Sequence, residues 1–145
     1  MPKENEILSL LLVKARESAV SCVRPILAKH EITEQQWRVI RVLSDSEDIN
    51  AQRLATDSCI LSPSLSRILT RLSGDGIIIR KADKTDQRAQ TIRLSAKGRR
   101  LHKKLLPLVE KEYQTLTKNV GKDTVNRLLP LLQKYSEYHP ARPDA

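Results

Sequence analysis

Apolar residues at Ile7, Leu8, Leu11, Leu12, Ala15, Ala19, Val23, Ile26 and Leu27 recur in steps of three and four, which predicts one long helix from Glu4 to about Lys29. Leu10, Val13, Val20 and Cys22 widen the stripe beyond one face. A helix of this kind at the end of a small chain packs against a second subunit more often than against its own core alone. Pro25 should kink it or end it early. A capping box from Thr33 to Gln36 opens the next helix, which turns Trp37, Val39, Ile40 and Leu43 inward and runs to about Ser46. Asp48 to Asn50 reads as a short extended break, and Asn50 then caps a helix of about two turns through Thr56.

The next helix starts at Ser62, read as its N-cap with Pro63 at the first helical position. Leu65, Ile68, Leu69 and Leu72 fall within about one third of the helical wheel and face the core. Ser66, Arg67, Thr70 and Arg71 are left on the opposite side. Gly76 ends the helix. Ile77–Lys81 and Gln90–Leu94 then read as two strands of a hairpin joined by a polar loop. Ser95 caps a long helix through about Asn119, with Leu101, Leu105, Leu108, Val109 and Leu116 along one side and a Pro107 kink. After a turn at Gly121, Asp123 caps a last helix carrying Val125, Leu128, Leu129, Leu132 and Tyr135, with Pro130 inside it; the tail beyond Tyr138 is expected to fray. The fold class is therefore mainly α with a small β-hairpin wing.

Composition narrows the class of partner. The 145 residues suit one domain, and with 39% hydrophobic residues and no Phe its core must be built from Leu, Ile, Val and Ala. The formal net charge is +9, and residues 62–104 hold 12 Lys/Arg against 3 Asp/Glu while the remainder holds 14 of each sign. A solvated basic surface would give the same total, but this clustering points to a polyanion. Cys22 and Cys59 sit in apolar settings with no CxxC or Cys/His cluster, so both read as buried fillers in a reducing cytoplasm, without a disulfide or zinc. Lys14, Arg16 and Glu17 interrupt the first apolar run, which argues against export and membrane spanning. His30, His102 and His139 share no ligand spacing and read as surface histidines. No Gly-rich phosphate loop, G-x-S-x-G elbow, metal cluster or acid/base carboxylate pair occurs, so neither catalysis nor a cofactor is expected.

The helix from Ser62 and the hairpin after it have the chemistry to read DNA. Short hydroxyl side chains let a helix sink into the major groove, where Arg67 can reach a guanine edge and Ser62, Ser64, Ser66, Thr70 and Arg71 can bond to bases or phosphates. Lys84, Gln87 and Arg88 at the hairpin tip suit backbone contact, or insertion of Arg88 into a minor groove. Asp86 suits such a tip only if it orients a neighbouring arginine by a charge-assisted hydrogen bond. A solvated surface is the plainer reading of Arg67 and Arg71; a capped helix followed by a basic hairpin favours DNA.

The order of elements, Thr33-Glu-Gln-Gln-Trp37, Leu69-x-Arg71-Leu72, Gly76-Ile77-Ile78-x-Arg80, and above all Asp86-x-Arg88 through Leu94-Ser95-x-x-Gly98, resemble the MarR family of winged-helix regulators over nearly the whole chain. Ala15-Arg16-Glu17, Arg24-Pro25-Ile26-Leu27, Gln35-Gln36-Trp37-Arg38 and Ser58-Cys59-Ile60-Leu61 look closer still to the subgroup that represses catabolism of homoprotocatechuate and related aromatic acids. The resemblance implies a winged helix-turn-helix region, residues 31–100, flanked by dimerisation helices at 1–30 and 101–145. It implies a homodimer on a pseudo-palindromic double-stranded operator, acting as a repressor relieved by a small aromatic or phenolic acid. Arg16 would meet the effector carboxylate, Trp37 would wall the pocket, and Arg38 is a further candidate. Ser73 and Gly74 depart from the family pattern after Arg71-Leu72. Peroxide-sensing relatives carry their cysteine near the position of Ile7 or Leu8, which neither Cys22 nor Cys59 matches. The competing readings are a redox-responsive repressor using a cysteine, a basic architectural DNA binder without effector control, and a helical module for an acidic protein partner.

Overall fold

A computed structural model describes residues 3–82, 85 and 90–138. Among these the chain forms α1 (Lys3–Ser21), α2 (Arg24–Lys29), α3 (Glu34–Ser44), β1 (Ile49–Asn50), α4 (Ala51–Ser58), α5 (Ser62–Gly74), β2 (Ile78–Ala82), β3 (Gln90–Leu94), α6 (Ala96–Val120) and α7 (Lys122–Ser136). The helix expected from Glu4 to Lys29 is broken between α1 and α2. Pro25 has no N–H for the carbonyl of Ser21, so the ladder lapses at Cys22 and Val23, where the Val23 amide turns to Val20 O at 3.1 Å.

The expected caps at Thr33, Asn50 and Ser95 all form. Thr33 and Gln36 exchange both bonds of the capping box, at 3.0 and 3.1 Å. Asn50 Oδ1 accepts from Arg53 N at 2.8 Å, and Ser95 Oγ accepts from Gly98 N at 3.0 Å. Two expected caps do not. At α5 the first helical bond runs from Leu65 N to Leu61 O, 2.9 Å, so Leu61 is the N-cap and Ser62 already lies inside the helix. At α7 the N-cap is Gly121, at φ +108°, and Asp123 sits in the first turn, where its charge meets the helix dipole without capping. The C-terminus of α5 closes as a Schellman turn, with Ile77 N to Leu72 O at 2.9 Å and Gly76 at φ +72°, the left-handed position for which glycine has no steric cost.

The hairpin forms as expected, with Ile78 opposite Leu94 and Arg80 opposite Ile92. The short extended break before α4 becomes a third strand: β1 pairs antiparallel with β3, Ile49 opposite Ile92, giving the order β1-β3-β2. Two residues carry too little pattern to declare a strand, and only the partner edge of β3 makes them one. The sheet lies on one core with α3, α4, α5 and the first half of α6, built from Leu27, Ile40, Leu43, Leu54, Leu69, Leu72, Ile92 and Leu105 among others. By contrast α7 buries no residue, and Ile7, Leu10, Leu11 and Val13 of α1 are exposed.

The cysteine and histidine expectations need correction. Cys59 is exposed, because it forms the left-handed C-cap of α4 at φ +54°, and Cys22 is only half-buried. His102 is not a plain surface residue: its ring stacks on Trp37, centroids 5.6 Å apart, and its Nε2 is buried with no hydrogen-bond partner among the described residues. Burial, and then the Arg41 charge, hold the His102 imidazole below its ordinary pKa against the upward pull of Asp45 and Glu110. His139 lies outside the described residues.

Two measurements follow from this packing. A Cβ on Gly98 would lie 2.1 Å from the carbonyl oxygen of Ile77, whereas one on Gly74 meets nothing within 4 Å. Gly98→Ala should lower unfolding free energy by about 1–3 kcal/mol in urea titrations, while Gly74→Ala should raise it by up to about 1 kcal/mol through helix propensity. For His102 the folded state favours the neutral ring, so its contribution is complete above the ordinary value of 6.5 and is lost as pH falls through the lowered folded pKa. The melting temperature should therefore fall as pH drops below about 6.5, and His102→Gln should flatten that slope.

Candidate nucleic-acid interface and adjoining cavity

The turn between α4 and α5 sets the direction of α5, the helix expected to face DNA. The Cys59 amide closes on Thr56 O at 3.2 Å and the Ile60 amide on Ala55 O at 3.0 Å, which buries Ile60 and leaves Leu61 outside. From there α5 carries Leu65, Ile68, Leu69 and Leu72 into the core and exposes Ser62, Ser66, Arg67, Thr70 and Arg71, with Ser64 half-buried. The Thr70 hydroxyl donates back to Ser66 O at 3.0 Å, and Arg71 Nε donates to Asp75 Oδ2 at 3.1 Å. Arg67 has no carboxylate partner among the described residues. Among the described residues no side chain holds its guanidinium, which leaves it available to an outside acceptor.

At the wing, Arg80 Nε donates to Gln90 Oε1 at 3.0 Å across the strands. The Ser95 hydroxyl reaches the carbonyls of Gly76 at 2.6 Å and Ile77 at 3.0 Å, and Lys97 Nζ donates to Asp75 O at 2.7 Å. These bonds fix the base of the hairpin against the end of α5. The expected tip contacts Lys84, Asp86, Gln87 and Arg88 lie outside the described residues.

A cavity of about 310 Å³ opens between α3, α4 and α6, lined by Trp37, Arg38, Arg41, Val42, Asp57, Ser58, Leu106, Val109, Glu110 and Tyr113. Its apolar walls come from two distant helices, and its cations from one. Arg38 is committed elsewhere: Nη1 donates to the carbonyls of Ser58 at 2.9 Å and Cys59 at 3.1 Å, closing the C-terminal end of α4. Its Nε lies 2.8 Å from Glu34 Oε1, but the N–H is not directed at that oxygen, so charge rather than a straight hydrogen bond holds the pair. Arg41 makes no ion pair among the described residues.

Arg16, expected at an effector carboxylate, does not line this cavity. Its Nη2 donates to Glu34 Oε2 at 3.0 Å, so α1 is tied through Glu34 to Arg38 and on to the end of α4. Trp37 is both core and wall, since it is buried and also faces the cavity. Burial keeps the Tyr113 phenol above its ordinary pKa, helped by Cys22 and Glu34, and burial likewise raises the Cys22 thiol. A raised thiol is mostly protonated and a poor nucleophile, which weighs against redox sensing there. Sequence reasoning missed Glu34, Arg41, Tyr113 and Leu61. Arg41 was within reach, being four residues after Trp37 and so on its face; Tyr113 comes from a remote helix and had no local signal.

Among known proteins, the MarR family model matches residues 32–89. The chain is 36% identical over 131 residues to the homoprotocatechuate degradative operon repressor of Escherichia coli, spanning 90% of this chain and 88% of that protein. The crystal structure of NadR in complex with 4-hydroxyphenylacetate superposes with a TM-score of 0.78 at 35% identity, covering 91% of this chain and 94% of that one. A mutant of Escherichia coli MarR complexed with operator DNA superposes with a TM-score of 0.81 at 27% identity, covering 90% and 96%.

Proposed function

The chain belongs to the MarR family, and from that premise we propose that it is a homodimeric repressor whose α5 helices read an operator and whose cavity takes a phenolic or aromatic acid. The observation that carries the DNA reading is the outward face of α5, hydroxyl side chains around an Arg67 with no carboxylate partner among the described residues, in the region that holds the net positive charge. Arg67 reads a base edge, Ser62, Ser64, Ser66 and Thr70 contact bases or phosphates, and Arg71, steadied by Asp75, contacts the backbone. Lys84, Gln87 and Arg88 extend the contact along the duplex, with Asp86 orienting a neighbouring arginine. The dimer is built by residues 1–30 and 101–145, and the exposed apolar side chains of α1 and α7 supply the surface that a second copy would cover.

In the cavity, Arg41 is the carboxylate partner, because Arg38 is spent on the end of α4. Trp37, Leu106 and Val109 pack the ring, and the Tyr113 phenol offers a hydrogen bond to a ring substituent. That NadR has been crystallised with 4-hydroxyphenylacetate supports a ligand of this class. Arg16 acts through Glu34 and not on the ligand directly. A ligand that shifts α3 against α6 shifts Arg38 with it, and Arg38 holds the end of α4 from which α5 starts. The effector signal thus has a short route to the reading helix.

Two experiments test this. In fluorescence-anisotropy titrations, Arg67→Ala should cost about 1–3 kcal/mol at particular base positions, and affinity should fall as salt rises; equal affinity for every duplex would leave only an architectural role. In thermal-shift titrations with 4-hydroxyphenylacetate, native protein should gain about 2.7 kcal/mol at a hundredfold excess over the dissociation constant. Arg41→Ala should lose that gain and Arg16→Ala retain most of it; the reverse order would remove Arg41 from the site.

A further inference from the structure

We propose that Leu61 is a base-reading residue, its side chain meeting the C5 methyl group of a thymine at the edge of each half-site. The proposal rests on the DNA-binding reading above. Leu61 is 80% exposed. Among the described residues before α6, the only other exposed large hydrophobic side chain outside α1 is Ile79, at 37%. Scattered surface leucines need no explanation in general, but this one also takes the N-cap of α5, in extended backbone at φ −65°, ψ 143°, with no side-chain cap. Ser, Thr, Asp or Asn at that position would satisfy a free amide of the first turn. The chain therefore forgoes a cap and exposes a leucine at the same place, and neither serves the core, since the neighbouring Ile60 fills it.

Position gives the exposed leucine its role. Leu61 borders a depression of about 330 Å³ shared by the end of α4 and the start of α5, with Ala55, Thr56, Cys59, Ile60 and Ser62 around it. Along the same helix end follow Ser62, Ser64, Ser66 and Arg67. The first residues of a recognition helix are those that reach base edges in the major groove. The apolar group that groove presents is the thymine methyl. The surrounding charge favours a nucleic acid over an apolar protein surface: residues 62–104 hold 12 cations against 3 anions.

The test selects binding duplexes from a random-sequence pool with the full-length native chain, then replaces the thymines of the selected site one at a time with deoxyuridine, which lacks only the methyl group. Native protein should lose about fourfold in affinity per half-site at one thymine position, the worth of one buried methyl. Leu61→Ala should bind the thymine and uracil duplexes equally. Leu61→Ser separates reading from folding: it restores a cap and should melt at a higher temperature, yet lose the same discrimination. Undiminished discrimination in both variants would overturn the proposal and leave Leu61 as a contact for a protein partner. No sequence enrichment by the native chain would instead overturn the DNA-reading function on which it rests.

Discussion

The guanidinium of Arg38 holds together parts of the chain that the covalent backbone leaves apart. One nitrogen bonds to the carbonyls of Ser58 and Cys59, where α4 has run out of amide partners, and another lies against Glu34, which Arg16 approaches from α1. Carbonyls at a helix end carry the negative end of its dipole, so a half-buried cation placed there is favoured by both hydrogen bonding and field. Remove that contact and the left-handed turn at Cys59 rests on backbone bonds from the Cys59 and Ile60 amides to Ala55 O and Thr56 O. The direction of α5 depends on that turn.

The positions of α5 and the cavity follow from the same constraint. Because α4 is only eight residues long, its two ends lie close together, one joined to the sheet through β1 and the other held by Arg38. In the proposed function, a shift of α3 would reach α5 with little length over which to dissipate. Trp37 and Arg41 sit on the helix that carries Glu34 and Arg38, so a molecule packed against Trp37 touches the element that sets the turn. Close packing would favour such coupling, since interiors transmit small displacements instead of absorbing them.

Periodicity and caps carried most of the architecture. The boundaries at Thr33, Asn50 and Ser95, the inward face of Leu65, Ile68, Leu69 and Leu72, and the hairpin were all legible, because each rests on contacts within a few residues. What differs from local expectation has a tertiary cause. Ser62 is of a type that suits a cap, but the cap is defined by which carbonyl takes the first helical bond, and the turn at Cys59 assigns that to Leu61. Arg16, which the resemblance puts at an effector carboxylate, pairs with Glu34, eighteen residues away in the chain and adjacent only in the fold.

What the sequence by itself determined is the set of local decisions: where helices begin, which faces are apolar, where charge accumulates, and a pattern of residues sufficient to place the chain in its family. What only the tertiary structure decided is how remote groups meet. Two residues became strand β1 by pairing with β3, Tyr113 and Leu106 reached the cavity of Trp37 and Arg41, and Arg38 came to hold the end of α4. Local preferences are written in neighbouring residues because helix and turn bonds span three to five positions. A contact between distant segments has no such record, since it exists only once the core between them has packed.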